Sequence, residues 1–280
     1  MGAIPPELQK KADALHADLR AAGKLLVAFS GGVDSSYLAY AAHRAVGDDA
    51  LAVTADSPSY PRSQRAMAVR VTSEFGIPHR FVKTREMERG DYRANGPNRC
   101  YSCKSELFAV LGDLRGELGF DSVAYGVNVD DTEDFRPGHR AADEKGVLSP
   151  FLDAGLTKAE IRTLSSAVGL PTAELPASAC LSSRLPYGTE VTRERLRQVE
   201  EGEERLRALG FRQVRLRHHG QVARVEIAPD ELARALDPEM ARAIADAIKP
   251  LGFRWVSLDL DGYRTGSLNE VLQIRNEPQH

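Results

Sequence analysis

One stretch near the start of the chain constrains the fold more than any other. An apolar run from Leu25 to Phe29 is interrupted by Ser30-Gly31-Gly32, and an Ala-rich helical pattern follows from Tyr37 to Val46. This order predicts a buried strand, a tight turn and a helix. Gly31 and Gly32 permit positive φ angles and let the backbone approach a ligand closely, while the N–H groups of the first helical turn favour an anion. The stretch therefore predicts a cradle for an oligophosphate.

The fixed positions of this loop distinguish it from the Walker A loop, because the pattern GxxxxGK[ST] is missing. Asp34 and Ser35 either cap the helix or hold Mg²⁺ and contact the phosphates. The segment resembles the SGGxDS loop of the PP-loop ATP pyrophosphatase superfamily, whose members cleave ATP between the α and β phosphates and adenylate a substrate oxygen. The residues to which this resemblance assigns ATP binding are Ser30, Gly31, Gly32, Asp34, Ser35 and Ser36. The alternative is a capped Gly-Gly turn in another kind of α/β protein.

Strands and helices alternate through the first half of the chain. The patterns predict strands at Leu25–Phe29, Ala50–Asp56, Ile77–Val82 and Asp121–Gly126, and helices between them at Tyr37–Val46, Arg62–Phe75 and Cys103–Leu118. Such alternation predicts a doubly wound α/β domain with a parallel sheet. Ligands of these sheets bind at the carboxyl ends of the strands, so we expect Asp56 and Gly126 to lie beside Ser30 and to bind ATP. An ordinary strand-ending Asp explains Asp56 equally well.

The remaining segments of the first half are less regular. An amphipathic helix is predicted at Met1–Arg20, a loop at Lys83–Arg99 and an irregular acidic stretch at residues 127–146. Thr157, followed three residues later by Glu160, forms a capping box that opens another helix.

The composition shifts near Pro186, which predicts a boundary between an ATP-binding domain of residues 1–187 and a smaller domain of residues 188–280. We expect the smaller domain to bind the substrate or to mediate oligomerisation. Its α+β pattern consists of a charged helix, a hairpin, a second helix and a last strand, at Thr192–Leu209, Arg212–Ile227, Pro229–Ile248 and Phe253–Leu260.

The predicted hairpin carries a row of arginines. Strand alternation places Arg215 and Arg217 on one face, and a symmetric turn around His219-Gly220 sets Arg215 opposite Arg224. Because like charges directly opposite destabilise a sheet, a bound phosphate or carboxylate would relieve the conflict; the alternative is a solvated polar face. Glu203 falls on the apolar stripe of the preceding helix and needs a partner, which is either an arginine of the hairpin or a metal ion beside the substrate phosphate.

The chain has three cysteines, an odd number that argues against a disulfide framework and for thiol or metal chemistry. Cys100 and Cys103 are one helical turn apart and can chelate one metal centre, whereas Cys180 lies in a run of small residues between prolines. A zinc ion would need a fourth ligand such as His79 or His139. A 4Fe–4S cluster held by three cysteines would leave one iron open. A structural zinc site and unrelated buried thiols are the alternatives.

Taken together, six motifs resemble the LarE family, ATP-dependent sulfur transferases that help to build the nickel-pincer nucleotide, the cofactor of lactate racemase. The motifs are SGGVDSS (30–36), TADSP (54–58), NRCYSCK (98–104), GLTKAEIR (155–162), PASACLSSR (176–184) and GYRTGS (262–267). The resemblance covers nearly the whole chain, and it implies a PP-loop domain, a small C-terminal domain and a homo-oligomer.

The resemblance also implies the chemistry. A carboxylate of pyridinium-3,5-biscarboxylic acid mononucleotide is adenylated, and attack by sulfur then displaces AMP to leave a thiocarboxylate. Family members with one cysteine, at the position of Cys180, sacrifice its sulfur, and this cysteine is converted to dehydroalanine. This chain looks like the form in which Cys100, Cys103 and Cys180 hold a catalytic 4Fe–4S cluster whose open iron carries a further sulfide. The candidate ligands of the substrate phosphate and carboxylates, or of a metal ion beside them, are Arg215, Arg217, Arg224 and Glu203.

Charge and hydropathy limit the partners. The net charge of −3 and the lack of a basic stripe argue against a nucleic-acid partner, and no apolar run is long enough for a membrane span. We expect a cytoplasmic enzyme, since the N-terminus does not read as a signal peptide, and we assign no sulfur donor. The alternatives are a tRNA thiolase, which should carry a basic track, a non-catalytic nucleotide-binding module with a structural zinc, and an ammonia-using amidotransferase.

Overall fold

The computed structural model describes residues 4–132, 137–176 and 179–264. The chain forms two compact units: the first holds Met1–Glu86 and Cys100–Ser178, and the second holds Met87–Arg99 and Ala179–His280. Met87–Arg99 therefore belong to the second unit, although the segments before and after them belong to the first. The domain boundary expected after residue 187 stays a prediction. Residues 177–178 and 265–267 of two family motifs lie outside the described residues.

Helices and strands alternate through most of the described chain. The helices are α1 (Pro6–Ala21), α2 (Val33–Val46), α3 (Arg62–Phe75), α4 (Gly90–Arg93), α5 (Arg99–Leu118), α6 (Pro137–Glu144), α7 (Pro150–Asp153), α8 (Lys158–Ala167), α9 (Arg193–Ala208), α10 (Leu232–Ala235) and α11 (Pro238–Ile248). The strands are β1 (Leu25–Ala28), β2 (Ala50–Asp56), β3 (His79–Lys83), β4 (Ser122–Tyr125), β5 (Val214–His219), β6 (Val222–Ile227) and β7 (Trp255–Leu258). Over the described residues, none of these helices has the length and apolar character needed to cross a membrane.

The first unit is built on a four-stranded sheet in the order β3-β2-β1-β4, in which all neighbouring strands are parallel. Strand β1 lies inside the sheet, and Leu25–Val27 are buried, as expected for a strand that is covered on both faces. The strands end at a common edge, where Ser30 follows β1, Asp56 closes β2 and Gly126 follows β4. This arrangement confirms the predicted α/β class with a parallel sheet.

Helix α1 covers part of the core of this unit. Its apolar residues recur every three or four positions, and Leu8, Ala12, Leu15 and Leu19 are all buried. They belong to one hydrophobic cluster with residues of β1 and α2. The helix predicted at Met1–Arg20 is thus found at Pro6–Ala21, and residues 1–3 of that prediction lie outside the described residues.

Two segments predicted to be irregular contain helices. The predicted loop at 83–99 holds a 3₁₀ turn at Glu86–Glu88 and the single turn of α4. The acidic stretch at 127–146 holds α6, which begins at Pro137.

The second unit is built on a three-stranded sheet in the order β5-β6-β7, with an antiparallel β5–β6 hairpin and with β7 parallel to β6. The predicted register of the hairpin was wrong. A two-residue turn at Gly220-Gln221, with Gly220 at φ 65°, pairs Arg217 with Arg224 and Arg215 with Glu226. The turn is centred one residue later than predicted, which shifts each cross-strand partner by two positions.

The helix predicted at Pro229–Ile248 is interrupted. Asp237 Oδ1 accepts hydrogen bonds from the N–H groups of Glu239 at 3.0 Å and Met240 at 3.2 Å, and so caps a new helix, α11. Pro238 cannot continue the preceding helix because it has no N–H group.

Candidate active site

The loop between β1 and α2 is held by its own polar atoms. The Ser30 N–H donates to Ser35 Oγ at 3.1 Å, and Ser35 Oγ donates to the Gly32 carbonyl at 3.2 Å. Gly32 occupies the cap position of α2, and no side chain caps the helix. The alternative in which Asp34 or Ser35 caps the helix is therefore wrong, and the N-terminal end of α2 remains suited to an anion.

Two glycines of this region are required by close packing. Gly31 has a φ of 70°, and a Cβ there would lie 3.0 Å from the backbone nitrogen of Ala68. A Cβ at Gly126 would lie 3.1 Å from the Ser35 nitrogen. At Gly32, in contrast, the nearest atom to a Cβ would be a hydroxyl oxygen at 3.5 Å. The protein packing therefore does not require Gly32, whose missing side chain leaves room for a ligand.

We expect Gly31→Ala to destabilise the fold by about 2–5 kcal/mol. The left-handed conformation costs about 1–2 kcal/mol for a residue with a Cβ, and displacing the packed backbone adds about 1–3 kcal/mol. The measurement is urea unfolding, with Gly32→Ala as the matched control, which should lose no more than about 1 kcal/mol. Equal losses in the two variants would contradict this reading of the loop.

Asp34 contacts two residues that are not among the predicted site residues. Lys158 Nζ donates a hydrogen bond to Asp34 Oδ2, and Asn128 Nδ2 donates to Asp34 Oδ1 at 3.3 Å. The side chains of Asp34 and Lys158 both stay partly exposed. An accessible carboxylate suits Mg²⁺, and an ammonium group beside it suits a phosphate. The pair can therefore serve a metal-bound oligophosphate.

Lys158 is placed by the start of α8. Thr157 Oγ1 accepts from the Glu160 N–H at 3.3 Å, and Glu160 Oε2 accepts from the Thr157 N–H at 2.8 Å, which confirms the predicted capping box. Glu160 also binds Lys11 Nζ at 2.8 Å. These contacts fix the first turn of the helix and with it the direction of Lys158.

Asp56, at the end of β2, is paired with an arginine. Arg65 Nη1 donates to Asp56 Oδ1 at 2.7 Å, and the Arg65 guanidinium lies 3.9 Å from the ring centre of Phe81. Tyr60 OH donates to the Ser30 carbonyl at 3.0 Å, and burial raises the pKa of Tyr60. Asp56 thus lies at the expected edge of the sheet, and its contact with ATP stays a prediction.

None of the three cysteines, all of which lie in the described part of the chain, forms a disulfide bond. Cys100 is exposed and Cys103 partly exposed on successive turns at the start of α5, and Cys180, in the second unit, is also partly exposed. Cysteine thiolates are the usual ligands of iron–sulfur clusters, so the donor chemistry fits such a cluster. Within the described ranges, no group of three His, Cys, Asp or Glu side chains is arranged to hold a metal ion. His79 is hydrogen-bonded to Thr54 at 2.8 Å, and burial lowers its pKa to about 4.

A buried arginine holds the backbone at Cys180. Arg184 Nη1 donates to the carbonyls of Ala179 at 2.7 Å and of Cys180 at 3.0 Å. Arg184 Nε donates to Glu203 Oε1 at 2.8 Å, and Glu203 Oε2 accepts from Arg207 at 2.8 Å. The expectation that Glu203 needs a charged partner is met by these two arginines, neither of which lies on the hairpin.

We expect Arg184→Met to destabilise the fold by about 3–5 kcal/mol, because it leaves the buried Glu203 carboxylate without its main partner. The matched control is Arg207→Met, since the Arg207 side chain is 38% exposed and its pair should contribute only about 1 kcal/mol. Urea unfolding at neutral pH measures both. An Arg184→Met loss no larger than the Arg207→Met loss would refute the assignment.

The same ion pair predicts a pH dependence. Burial by itself raises the pKa of Glu203, but the charge and hydrogen bond of Arg184, together with the charges of Arg215 and Arg207, outweigh it, so the pKa lies below its ordinary value. A lowered pKa stabilises the fold above the unfolded-state pKa. The difference in stability between wild type and Arg184→Met should therefore shrink as the pH falls below about 4.

The residues Met87–Arg99, which belong to the second unit, also bind the segment after Cys180. Tyr92 OH lies 2.6 Å from Ser182 Oγ, and Arg99 Nη1 donates to the Ser182 carbonyl at 2.7 Å. Asn95 Nδ2 donates to the Pro186 carbonyl at 2.8 Å. The φ of Asn95 is 54°, a left-handed conformation that asparagine tolerates. The Cys180 segment is thus held by Arg184 and by residues of Met87–Arg99.

Arg215 and Arg217 of the hairpin are buried, whereas the Arg224 side chain is 30% exposed, so the alternative of a solvated polar face is wrong for the first two. Arg215 is 8% and Arg217 6% exposed. Arg217 Nη2 donates to the buried carboxylate of Glu226 at 2.7 Å, and Arg224 binds its other oxygen at 3.0 Å. Asp259 lies 3.5 Å from Arg224 Nε.

The second unit thus concentrates positive charge near Cys180. Five arginines meet three carboxylates in this network, which comprises Arg184, Arg207, Arg215, Arg217, Arg224, Glu203, Glu226 and Asp259. Burial, with the charge of Arg184, lowers the pKa of Arg215. Arg184, Arg215 and Arg217 are buried, and guanidinium groups suit a ligand with phosphate or carboxylate groups.

Comparison with known proteins relates both halves of the chain to characterised enzymes. A family model described as asparagine synthase matches residues 9–92, which include the loop. An uncharacterised protein of Synechocystis is 41% identical over 95% of this chain and 99% of its own length. The pyridinium-3,5-bisthiocarboxylic acid mononucleotide synthase of Lactiplantibacillus plantarum is 32% identical over 95% of this chain and 96% of its own length. A tRNA-specific 2-thiouridylase of a Roseiflexus strain is 31% identical over only 55% of this chain.

Proposed function

Because the chain belongs to the LarE family of ATP-dependent sulfurtransferases with a PP-loop domain, we propose that its substrate is pyridinium-3,5-biscarboxylic acid mononucleotide. A carboxylate oxygen of this substrate attacks the α phosphate of ATP, and pyrophosphate leaves. A sulfur nucleophile then attacks the acyl carbon, and AMP leaves with the oxygen, so that a thiocarboxylate remains. The observation that carries the proposal is the similarity to the L. plantarum synthase over nearly the whole of both chains.

The first unit supplies the residues for ATP. We assign the loop of Ser30–Ser36 to the phosphates that leave, Asp34 to Mg²⁺, and Lys158 to the charge that develops on the phosphates during adenylation. Mg²⁺, when bound, neutralises phosphate charge. The uncapped N-terminus of α2 and the contact between Asp34 and Lys158 support these roles. Asp56 and Gly126 flank the loop at the ends of neighbouring strands and are assigned to the nucleotide.

The second unit supplies the residues for the substrate. We assign Arg215, Arg217 and Arg224 to the phosphate and carboxylates of the mononucleotide, and the grouping of three guanidinium groups on paired strands, two of them buried, supports this role. Glu203 belongs to the same site. Its partner Arg184 also donates to the Cys180 carbonyl, so one ion pair joins the anion site to the backbone of the cysteine.

We further propose that Cys100, Cys103 and Cys180 hold a 4Fe–4S cluster, which supplies the transferred sulfur when bound. The ligand chemistry of three thiols, each at least partly exposed, supports this assignment. The backbone at Cys180 is fixed by Arg184 and by Ser183, whose hydroxyl donates to the Cys180 carbonyl at 2.8 Å. The protein therefore holds this ligand in place whichever sulfur source it uses.

The experiment that tests the sulfur source is anaerobic purification followed by iron and labile-sulfide analysis. About four irons per chain, as a 4Fe–4S cluster contains, should be lost in Cys100→Ala. A colourless protein that resists anaerobic reconstitution would refute the cluster. Mass spectrometry for dehydroalanine at position 180 after turnover would then separate sacrifice of the cysteine from a structural zinc site.

The experiment that tests the substrate is AMP and pyrophosphate release in the presence of ATP and the mononucleotide. Release should depend on this substrate and should not respond to tRNA. Release stimulated by tRNA would instead support the thiolase alternative, and no ATP cleavage would support a non-catalytic binding module. The homo-oligomer and the cytoplasmic location stay predictions, and the sulfur donor stays unassigned.

A further inference from the structure

Glu86 is a buried acidic residue at the end of the first segment of the first unit. It is 1% exposed, and neither of its carboxylate oxygens has a hydrogen-bond partner among the residues that the structure describes. Other buried acids are satisfied: Glu203 is paired with Arg184, and Glu226 is paired with Arg217. Burying a carboxylate without a donor is costly. Such a group needs a specific explanation, and a ligand that supplies the donor is one.

Glu86 lies just beyond the ligand-binding edge of the sheet. Lys83, the last residue of β3, pairs with Asp56, the last residue of β2, so the segment after β3 leaves at the same edge as the phosphate loop. Strands β3 and β1 are about 10 Å apart, which is two strand spacings. The Arg85 N–H donates to Glu106 Oε1 at 3.1 Å, which anchors this segment to α5. A nucleoside whose phosphates occupy the loop can extend toward Glu86.

Thr84, two residues before Glu86, carries another buried polar atom. Its Oγ1 is buried and, within the described part of the chain, has no hydrogen-bond partner. A carboxylate and a hydroxyl are too few ligands for Mg²⁺, and no metal-holding group of three acidic, His or Cys side chains occurs among the described residues. The hydroxyl and amino groups of a nucleoside match the Glu86 carboxylate and the Thr84 hydroxyl better than a metal ion does. Acidic residues accept ribose hydroxyls in other α/β nucleotide sites, and carboxylates accept amino groups of bases.

We propose that Glu86 and Thr84 form the nucleoside end of the ATP site, where Glu86 accepts hydrogen bonds from the ribose hydroxyls or from the adenine amino group. The proposal rests on the use of ATP by this chain and adds a nucleoside contact to the residues assigned to the phosphates. Since Glu86 is almost fully buried, binding has to shift the short turn at Glu86–Glu88 to admit the donor. The ligand then relieves a carboxylate that is unfavourable in the free protein.

The test is calorimetric titration of the full chain with AMP and, separately, with inorganic pyrophosphate and Mg²⁺. In Glu86→Gln, the affinity for AMP should fall about tenfold or more, because hydrogen bonds to a charged acceptor are lost. The affinity for pyrophosphate should not change. The melting temperature of the free variant should equal or exceed that of the wild type, because a buried unpaired charge is removed. Thr84→Val should weaken AMP binding by a smaller factor.

Analogues of AMP identify the donor. If the donor is the ribose, 2′-deoxy-AMP should bind the wild type as weakly as AMP binds Glu86→Gln; if it is the base amino group, inosine monophosphate should do so. Unchanged AMP affinity in Glu86→Gln would overturn the proposal. Equal losses for AMP and pyrophosphate, with a lower melting temperature, would overturn it as well, since they indicate a structural role.

The reciprocal variant separates this proposal from the proposed function. Asp34→Ala should weaken pyrophosphate binding more than AMP binding, the reverse of the Glu86→Gln pattern. A wild-type chain that binds neither ligand would refute the ATP assignment itself. Normal binding of both ligands to the wild type, with AMP unaffected in Glu86→Gln, would refute the Glu86 contact alone.

Discussion

Asp34→Ala is expected to lower the rate of pyrophosphate release by at least about 100-fold. The Asp34 carboxylate lies in the first turn of α2 and is assigned to Mg²⁺, and it also holds Lys158 in an ion pair. Its removal takes away a metal ligand and releases the lysine from its position. Both contributions to the stabilisation of phosphate charge are therefore lost together. The rate is measured by a coupled pyrophosphate assay with ATP and the mononucleotide.

Two further variants make this prediction specific. Asp34→Asn keeps the shape of the side chain but removes the charge, and we expect its rate to fall nearly as far, because Mg²⁺ prefers carboxylate ligands. Asp48→Ala is the matched control, since Asp48 is an exposed acid in the turn that follows the same helix, and its rate should equal that of the wild type. Normal pyrophosphate release in a folded Asp34→Ala protein would refute the assignment of Asp34 to Mg²⁺ and of the loop to the phosphates of ATP.

The parts of the fold that were predictable depend on signals between close neighbours in the sequence. The strand, loop and helix around Ser30 follow from an apolar run, two glycines and a helical pattern, and the capping box of Thr157 needs only Glu160. The hairpin register was missed because a turn at His219-Gly220 and a turn at Gly220-Gln221 are equally compatible with the sequence. A shift of one residue there changes the partner of every arginine.

The contacts that build the site were less predictable, because they join distant parts of the chain. Lys158 reaches Asp34 across 124 positions, and Tyr92 reaches Ser182 across 90. No periodic pattern links such residues. The position of Glu203 on an apolar helix stripe indicated that its charge has a partner, but only the fold identifies that partner as Arg184.

Cys180→Ala is expected to lower thiocarboxylate formation by at least about 1,000-fold while adenylation continues. The residues assigned to ATP belong to the first unit, whereas Cys180 belongs to the second, where Arg184 holds its carbonyl. Removal of one thiol therefore leaves the ATP loop unchanged. Sulfur transfer is measured as thiocarboxylate by mass spectrometry, and adenylation is measured as exchange of labelled pyrophosphate into ATP in the presence of the mononucleotide.

The ratio of these two rates decides what Cys180 does. If Cys180 carries or ligates the sulfur source, the adenylate forms but has no sulfur nucleophile, so exchange continues while the thiocarboxylate disappears. Cys180→Ser keeps the size of the side chain and should give the same separation, because a hydroxyl replaces the thiol without supplying sulfur. Loss of exchange together with sulfur transfer would assign the Cys180 thiol a structural role. A variant that still forms thiocarboxylate at the wild-type rate would exclude Cys180 from both the cluster and the sacrificial route.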